Sequence, residues 1–110
     1  MGMVISRFEV WLVNLDPTIG SEIKKTRPCL IISPNESNTY LDTVIVSPMT
    51  TILRKYPTRV TCTFQKKRGQ VAIDQLRTLD KKRLLKKLGV LDMITCKKIC
   101  DILQEFFAFE

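Results

Sequence analysis

The first strong pattern along the chain is a run rich in aromatic and β-branched residues, Phe8 to Leu15, with Phe8, Val10, Trp11 and Val13. It predicts a strand. Asp16-Pro17-Thr18 ends the run, and Gly20 with its polar neighbours makes a long connection up to Arg27. Pro28 opens a second predicted strand, Cys29 to Ser33, closed by the turn chemistry of Pro34-Asn35-Glu36-Ser37-Asn38. A third is expected from Thr43 to about Ser47, where Pro48 removes a ladder donor and suggests an edge or a bulge. From Thr58 to Phe64, apolar Val60, Cys62 and Phe64 alternate with Thr61 and Thr63, the period of a half-exposed strand. Gly69 precedes a fifth, Gln70 to Leu76.

The period then changes. Asp80 is placed to cap a short basic helix that ends before Gly89. Asp92 can cap a longer one to about Phe107, with Ile94, Ile99, Ile102, Leu103, Phe106 and Phe107 as its apolar stripe. Five short strands followed by helix predict an α+β fold, a small curled antiparallel sheet whose helix closes one opening. With 110 residues and no repeat, linker or low-complexity segment, residues 1–110 read as one domain.

Charge adds the first functional direction. The net charge is +7, with cations clustered at Lys24-Lys25-Thr26-Arg27, Arg54-Lys55, Lys66-Lys67-Arg68 and Lys81 to Lys87. Such a surface attracts polyanions through counterion release, although the last cluster reads as a solvated face. No stretch approaches the ~20 apolar residues of a membrane span. The run from Met1 to Val13 enters a strand-like pattern without the parts of an export signal, so a cytoplasmic location is expected. Cys29, Cys62, Cys96 and Cys100 then read as reduced thiols, mostly buried. With no histidine and no Cys-x-x-Cys pair, a metal site is not expected, nor any other cofactor.

The missing histidine also excludes histidine-pair ribonucleases, Ser-His-Asp hydrolases and Cys-His proteases. The carboxylates are scattered, so a two-metal nuclease site is not visible, and there is no phosphate loop. If the chain is an enzyme, arginine and hydroxyl groups must carry the chemistry. Single-stranded RNA permits that, because its own 2′-hydroxyl can attack the adjacent phosphate. A protein need only hold the backbone in line and stabilise charge on the phosphorane. Arginine suits the second task, since it can fork onto two phosphoryl oxygens.

Three segments could supply such a site. Pro17 to Pro28 offers Thr18, Gly20, Ser21, Glu22, Lys25 and Arg27, with the backbone of Arg27 biased toward an extended form by the following proline. Ser47-Pro48-Met49-Thr50-Thr51 places two hydroxyls after a strand break, and Asp74-Gln75-Leu76-Arg77 places polar groups at the end of an apolar strand. Glu22 fits either a substrate contact or a balance for Lys24 and Lys25. Asp74 fits a structural role as a buried carboxylate hydrogen-bonded near the loops. Trp11 could stack on a base, but between Val10 and Val13 it reads as core or subunit contact.

In these segments the chain resembles the MazF/PemK (Kid) family of toxin endoribonucleases, from Val10 to about Leu103. The carrying motifs are Val10 to Thr18, Gly20-Ser21-Glu22, Lys25-Thr26-Arg27-Pro28, Ile31-Ile32-Ser33-Pro34, Pro48-Met49-Thr50-Thr51 and Asp74-Gln75-Leu76-Arg77-Thr78, in that order and spacing. The resemblance implies a homodimer of small SH3-like barrels, each with a C-terminal helix, that cleaves single-stranded mRNA at short sequences. It implies 2′,3′-cyclic phosphate and 5′-hydroxyl ends, no metal, and inhibition by a cognate antitoxin with an acidic, disordered tail. The family's catalytic arginine and threonine fall on Arg27 and Thr50. The loop Gly20 to Glu22 would lie beside the groove, and Asp74, Gln75 and Arg77 would position substrate or contact bases.

Two departures accompany the match. Arg7-Phe8-Glu9 stands where relatives usually carry a glycine in the middle, which would alter the mouth of the groove. Ala72 stands where some relatives have a basic residue, which leaves Arg27 more central. Two other functions are compatible with the same barrel: a gyrase-poisoning toxin that cuts no bond itself, and an inactive RNA-binding relative.

Overall fold

The structure, a computed structural model, describes residues 3–110; Met1 and Gly2 of the expected N-terminal strand run lie outside the described residues. Among the described residues, seven strands form one antiparallel sheet. They are β1 (Glu9–Asn14), β2 (Thr26–Ile31), β3 (Thr43–Thr50), β4 (Arg59–Phe64), β5 (Lys67–Ala72), β6 (Arg77–Asp80) and β7 (Leu84–Val90). A short helix α1 (Asn35–Tyr40) joins β2 to β3, and α2 (Met93–Phe106) follows β7. The order across the sheet is β4-β5-β3-β2-β1-β7, with β6 paired to the first half of β3. The sheet curls so that its two ends meet: Gln65 Nε2 donates to the Leu88 carbonyl at 2.8 Å. There the Phe64 ring packs so close to Gly89 that an added Cβ would lie 3.1 Å from it.

The central strands are apolar on both faces because the sheet separates two cores. Val10, Leu30, Met49, Val60, Val71 and Ile73 face α2, where Cys96 and Ile99 meet them. Trp11, Val13, Cys29, Ile31, Val44 and Val46 fill the opposite core with Leu79 and Leu84. Trp11 is therefore core, and its Nε1 donates to Glu9 Oε1 at 3.0 Å. The expected thiols are free, with Cys29, Cys62 and Cys96 buried and Cys100 half-buried.

Several boundaries differ from those expected. Residues 81–87 do not form a basic helix: Asp80 accepts from Lys82 N–H at 2.8 Å and caps a 3-10 turn, after which the chain becomes β7. The open edge of β1 needs a partner and the core takes Leu84, and together these override the helix preference of lysine. The turn expected at 34–38 is the start of α1, held by buried Asn38, whose Nδ2 donates to the Ser33 carbonyl at 2.9 Å. The fifth strand stops at Ala72, and a 3-10 turn, Ile73–Gln75, breaks the run before β6.

Pro48 neither ends β3 nor lies at an edge. The Ile45 carbonyl accepts from Ile32 N–H of the β2 side, so by alternation Pro48 turns toward the other neighbour. There β3 changes partner, from β6 opposite Val46 to β5 opposite Met49, and no ladder donor is required.

Asp92 does cap the last helix, accepting from Thr95 N–H at 2.9 Å. Its inner face is Cys96, Ile99, Ile102 and Leu103; Ile94 is exposed because it points away from that face, while Phe106 and Phe107 are exposed at the helix end.

Candidate functional site

The β2–β3 register sets Cys29 opposite Pro48, and continued by two residues it brings Arg27 level with Thr50. The two residues line both of two adjoining cavities across one end of the sheet. Arg27 is half-buried, and its Nε donates to the Lys24 carbonyl at 2.7 Å. Among the described residues no carboxylate pairs with it, so the two terminal nitrogens are left to fork onto an anion. Thr50 is the last residue of β3 and is largely buried; its Oγ1 accepts from Ile52 N–H at 3.1 Å and keeps its own proton to give.

The first cavity adds Lys25, Thr51, Lys67 and Arg68 to the pair, and the second adds Ser21, Glu22, Lys24, Arg54, Asp74 and Gln75. Cations thus outnumber carboxylates around the groove, and one of the two carboxylates is already neutralised. Asp74 accepts two bonds from Arg59, Nε at 2.7 Å and Nη2 at 3.1 Å, and one from Thr58 Oγ1 at 3.0 Å. The bonds from Arg59 hold the Asp74 carboxyl below its usual range against the opposing effect of burial. Arg59 is the β4 partner of Ala72, so a neighbouring strand brings a guanidinium to the site where some relatives carry a basic residue.

Gln75 fastens the β1–β2 loop from below. Its Oε1 accepts from Ile23 N–H at 2.6 Å and its Nε2 donates to the Ser21 carbonyl at 3.3 Å. Arg77 lies farther along, with Nη1 donating to the Leu15 carbonyl at 3.1 Å at the root of the same loop. It lines a third cavity shared with Ser21, Glu22, Asp74 and Gln75 but not with Arg27 or Thr50. Within the loop Glu22 caps its own turn, accepting from Ile19 N–H at 2.6 Å. Thr18 is turned to Asp16, to whose Oδ1 it donates at 3.2 Å, and lines none of these three cavities; Gly20, with φ +56°, turns the backbone and lines none of them either.

Phe8 does not reach the mouth of the groove. It packs on the core beneath α2, with the Arg7 guanidinium 4.9 Å from its ring centre. Its φ of +72° is the left-handed form in which glycine is unstrained, which accounts physically for glycine at that position in relatives.

Sequence reasoning missed two groups that shape the groove. Gln70 is buried in β5 and clamps the β3–β4 loop at one residue: its Oε1 accepts from Arg54 N–H at 2.9 Å and its Nε2 donates to the Arg54 carbonyl at 3.0 Å. Gly69 lets β5 approach Thr50, since a Cβ there would lie 2.7 Å from the Thr50 carbonyl oxygen. Gly69→Ala is therefore expected to push the strands apart and slow the groove's reaction at least about tenfold, with a stability loss of about 1–3 kcal/mol. Unchanged turnover in a folded variant would show that the spacing does not matter. Cys62 lines the first cavity and Cys29 lies in the second core; burial pushes Cys29 up to about 12 and also raises Cys62, which disfavours the thiolate of both.

The fold agrees with that of known proteins. The chain aligns at 40% identity, over 90% of its own length and 90% of the relative's, with the endoribonuclease MazF of Staphylococcus epidermidis. The crystal structure of MazF (Form-I) from Deinococcus radiodurans superposes with a TM-score of 0.86 at 24% identity, over 98% of this chain and 100% of that one, and establishes the fold. An endoribonuclease in complex with its cognate antitoxin, from a mycobacterial species, superposes with a TM-score of 0.81 at 27% identity, over 96% of this chain and 97% of that one. Residues 6–107 match the profile of the PemK-like, MazF-like toxins of type II toxin–antitoxin systems, and the chain belongs to that family.

Proposed function

We propose that this chain is an endoribonuclease toxin that cleaves single-stranded mRNA, with Arg27 and Thr50 as its catalytic pair. The observation that carries the reading is the free fork of Arg27 level with Thr50 in a groove whose charged side chains are mostly cations. In the reaction, the 2′-oxygen loses its proton and bonds to phosphorus. The bond to the 5′-oxygen breaks, and that oxygen takes up a proton. The ends are a 2′,3′-cyclic phosphate and a 5′-hydroxyl. Arg27 stabilises the charge gathered on the two non-bridging oxygens, and Thr50 donates one further hydrogen bond. Ser21, Glu22, Lys25, Thr51, Asp74 and Gln75 line the path of the strand, with Thr18, Gly20 and Arg77 shaping the loop that borders it.

The inhibitor is an antitoxin with an acidic, disordered tail. The cations of the groove and the exposed Ile19, Ile52 and Leu53 on the loops beside it suit such a segment. Residues 1–110 act as one domain, in the cytoplasm, where its free thiols stay reduced. No helix of the described residues is long and apolar enough to cross a membrane. The working unit is a homodimer, in which a second copy covers apolar surface such as Val90, Met93 and Ile94. Light scattering is expected to give twice the 12.7 kDa chain mass, and the single-chain mass would refute the dimer.

Long unstructured RNA and a matched all-deoxy strand, each incubated with the protein in EDTA, test the chemistry. Cuts in RNA alone with cyclic-phosphate ends are expected. Cuts in DNA, a requirement for metal, or intact RNA over diverse sequence would each overturn the mechanism.

A further inference from the structure

Base stacking on an aromatic ring is a common way to hold an unstacked single strand. Trp11 is enclosed in the core, so it supplies no such surface. Two other aromatic side chains line the cavities that contain Arg27 and Thr50, namely Phe64 and Tyr56. Phe64 is spent on packing, against the core and against Gly89. Tyr56 is different. It stands on the β3–β4 loop, 51% exposed, in the same cavity as the catalytic pair.

The ring is also supported from behind. The Arg59 guanidinium lies 5.2 Å from the Tyr56 ring centre, and that guanidinium is itself fixed by its two bonds to Asp74. The Arg59 side chain is only 7% exposed, so the backing group is held and largely desolvated. Below it, Arg59 N–H donates to the Tyr56 carbonyl at 3.0 Å and ties the two backbones together. Gln70 holds Arg54 two residues before Tyr56. An exposed ring with one face backed by a pinned cation, and with its loop anchored on both sides, loses little freedom when a base settles on it.

We infer that Tyr56 is a stacking platform for one unpaired base of the RNA, next to the scissile phosphate, and that the Asp74–Arg59 pair positions it. This subsite rests on the assignment of the groove around Arg27 and Thr50 as the RNA-cleaving site. It explains a carboxylate and a cation that neutralise each other inside a groove otherwise free to bind phosphates: their joint task is to hold the ring, and Asp74 reaches substrate through it. Stacking needs the π-face and not the phenol oxygen, so Phe and Trp should substitute for Tyr and Ala should not.

The test uses the full chain and a short RNA whose cut site has been mapped. It is made as a set of variants, each with one base near the cut removed to leave an abasic ribose. Tyr56→Ala is expected to lower kcat/KM on the intact RNA by roughly 5- to 150-fold, mainly through KM. Tyr56→Phe and Tyr56→Trp are expected to stay within about threefold of the parent. One abasic position should cost the parent a similar factor and cost Tyr56→Ala nothing more. Equal losses for the parent and Tyr56→Ala at every abasic position would overturn the platform, as would Tyr56→Phe being as slow as Tyr56→Ala. Arg27→Ala on the intact RNA runs beside them. If it cuts at the parent rate, the assignment of the groove fails, whatever Tyr56 does.

Discussion

Arg27→Ala is expected to slow RNA cleavage by about 10²–10³-fold, the cost of removing one preorganised donor from a developing oxyanion. The loss should fall on kcat, because the guanidinium gains most when charge gathers on the phosphorane. Stability should change little. Among the described residues, the one hydrogen bond of the Arg27 side chain runs from Nε to the Lys24 carbonyl, and its loss should remove about 1 kcal/mol. Arg27→Lys keeps the charge but loses the two-pronged geometry, so it should recover only part of the rate. Single-turnover rates at saturating enzyme, read beside thermal unfolding, separate the two effects. A parent-like rate in Arg27→Ala would remove this residue from the chemistry.

Asp74→Ala is the second large change, and it acts first on stability. It leaves the Arg59 guanidinium, 7% exposed, without its carboxylate. Breaking a buried pair costs about 3–5 kcal/mol, but the Asp74 side chain is 30% exposed and water can enter. About 1–3 kcal/mol is the expected loss, or roughly 5–15 °C in Tm for a domain of this size.

The pH dependence gives an independent check. The folded Asp74 carboxyl lies below its unfolded value, chiefly because of Arg59. The unfolded chain therefore binds more protons in the acid range, and the stabilisation is complete above the unfolded value near 3.8 and lost as pH falls through the folded one. Glu9 behaves alike: burial works against it, yet bonds from Ser6, Lys87 and Trp11 keep its carboxyl low. The gap in Tm between the parent chain and Asp74→Ala should be widest near neutrality and close on acidification. A gap independent of pH would show that the lost contact is one of packing and not of charge.

What could be seen in the chain beforehand follows from the range over which each signal acts. β1 and the cap at Asp92 are local: a dense apolar run in one case, a carboxylate three residues before the Thr95 amide in the other. Arg27 and Thr50 stand out as candidates in the sequence because each lies near the end of a strand marked by proline. β7 could not, because Leu84-Leu85-Lys86-Lys87-Leu88 suits either helix or strand, and only the vacant side of β1 decides between them. Gln70, Gly69 and Tyr56 were hidden for a similar reason. Their roles depend on Arg54, Thr50 and Arg59, residues that the folded sheet brings to them. Ile94 was misread because an apolar residue near a helix start was assigned to the inner face without regard to its angle around the axis.

The pairing of β1 with β7 has a consequence for how the protein comes into being. The first strand finds its outer neighbour only when residues 84–90 have been made, and α2 then covers one of the two cores. Vectorial synthesis on the ribosome therefore presents an unfinished sheet with an open margin until nearly the whole chain has emerged. A chain stopped at Arg83 should lack cooperative unfolding and be degraded quickly, although Arg27, Thr50 and Tyr56 are all present in it. On this expectation a partly translated copy carries every residue of the groove and stays inactive until β7 and α2 are in place.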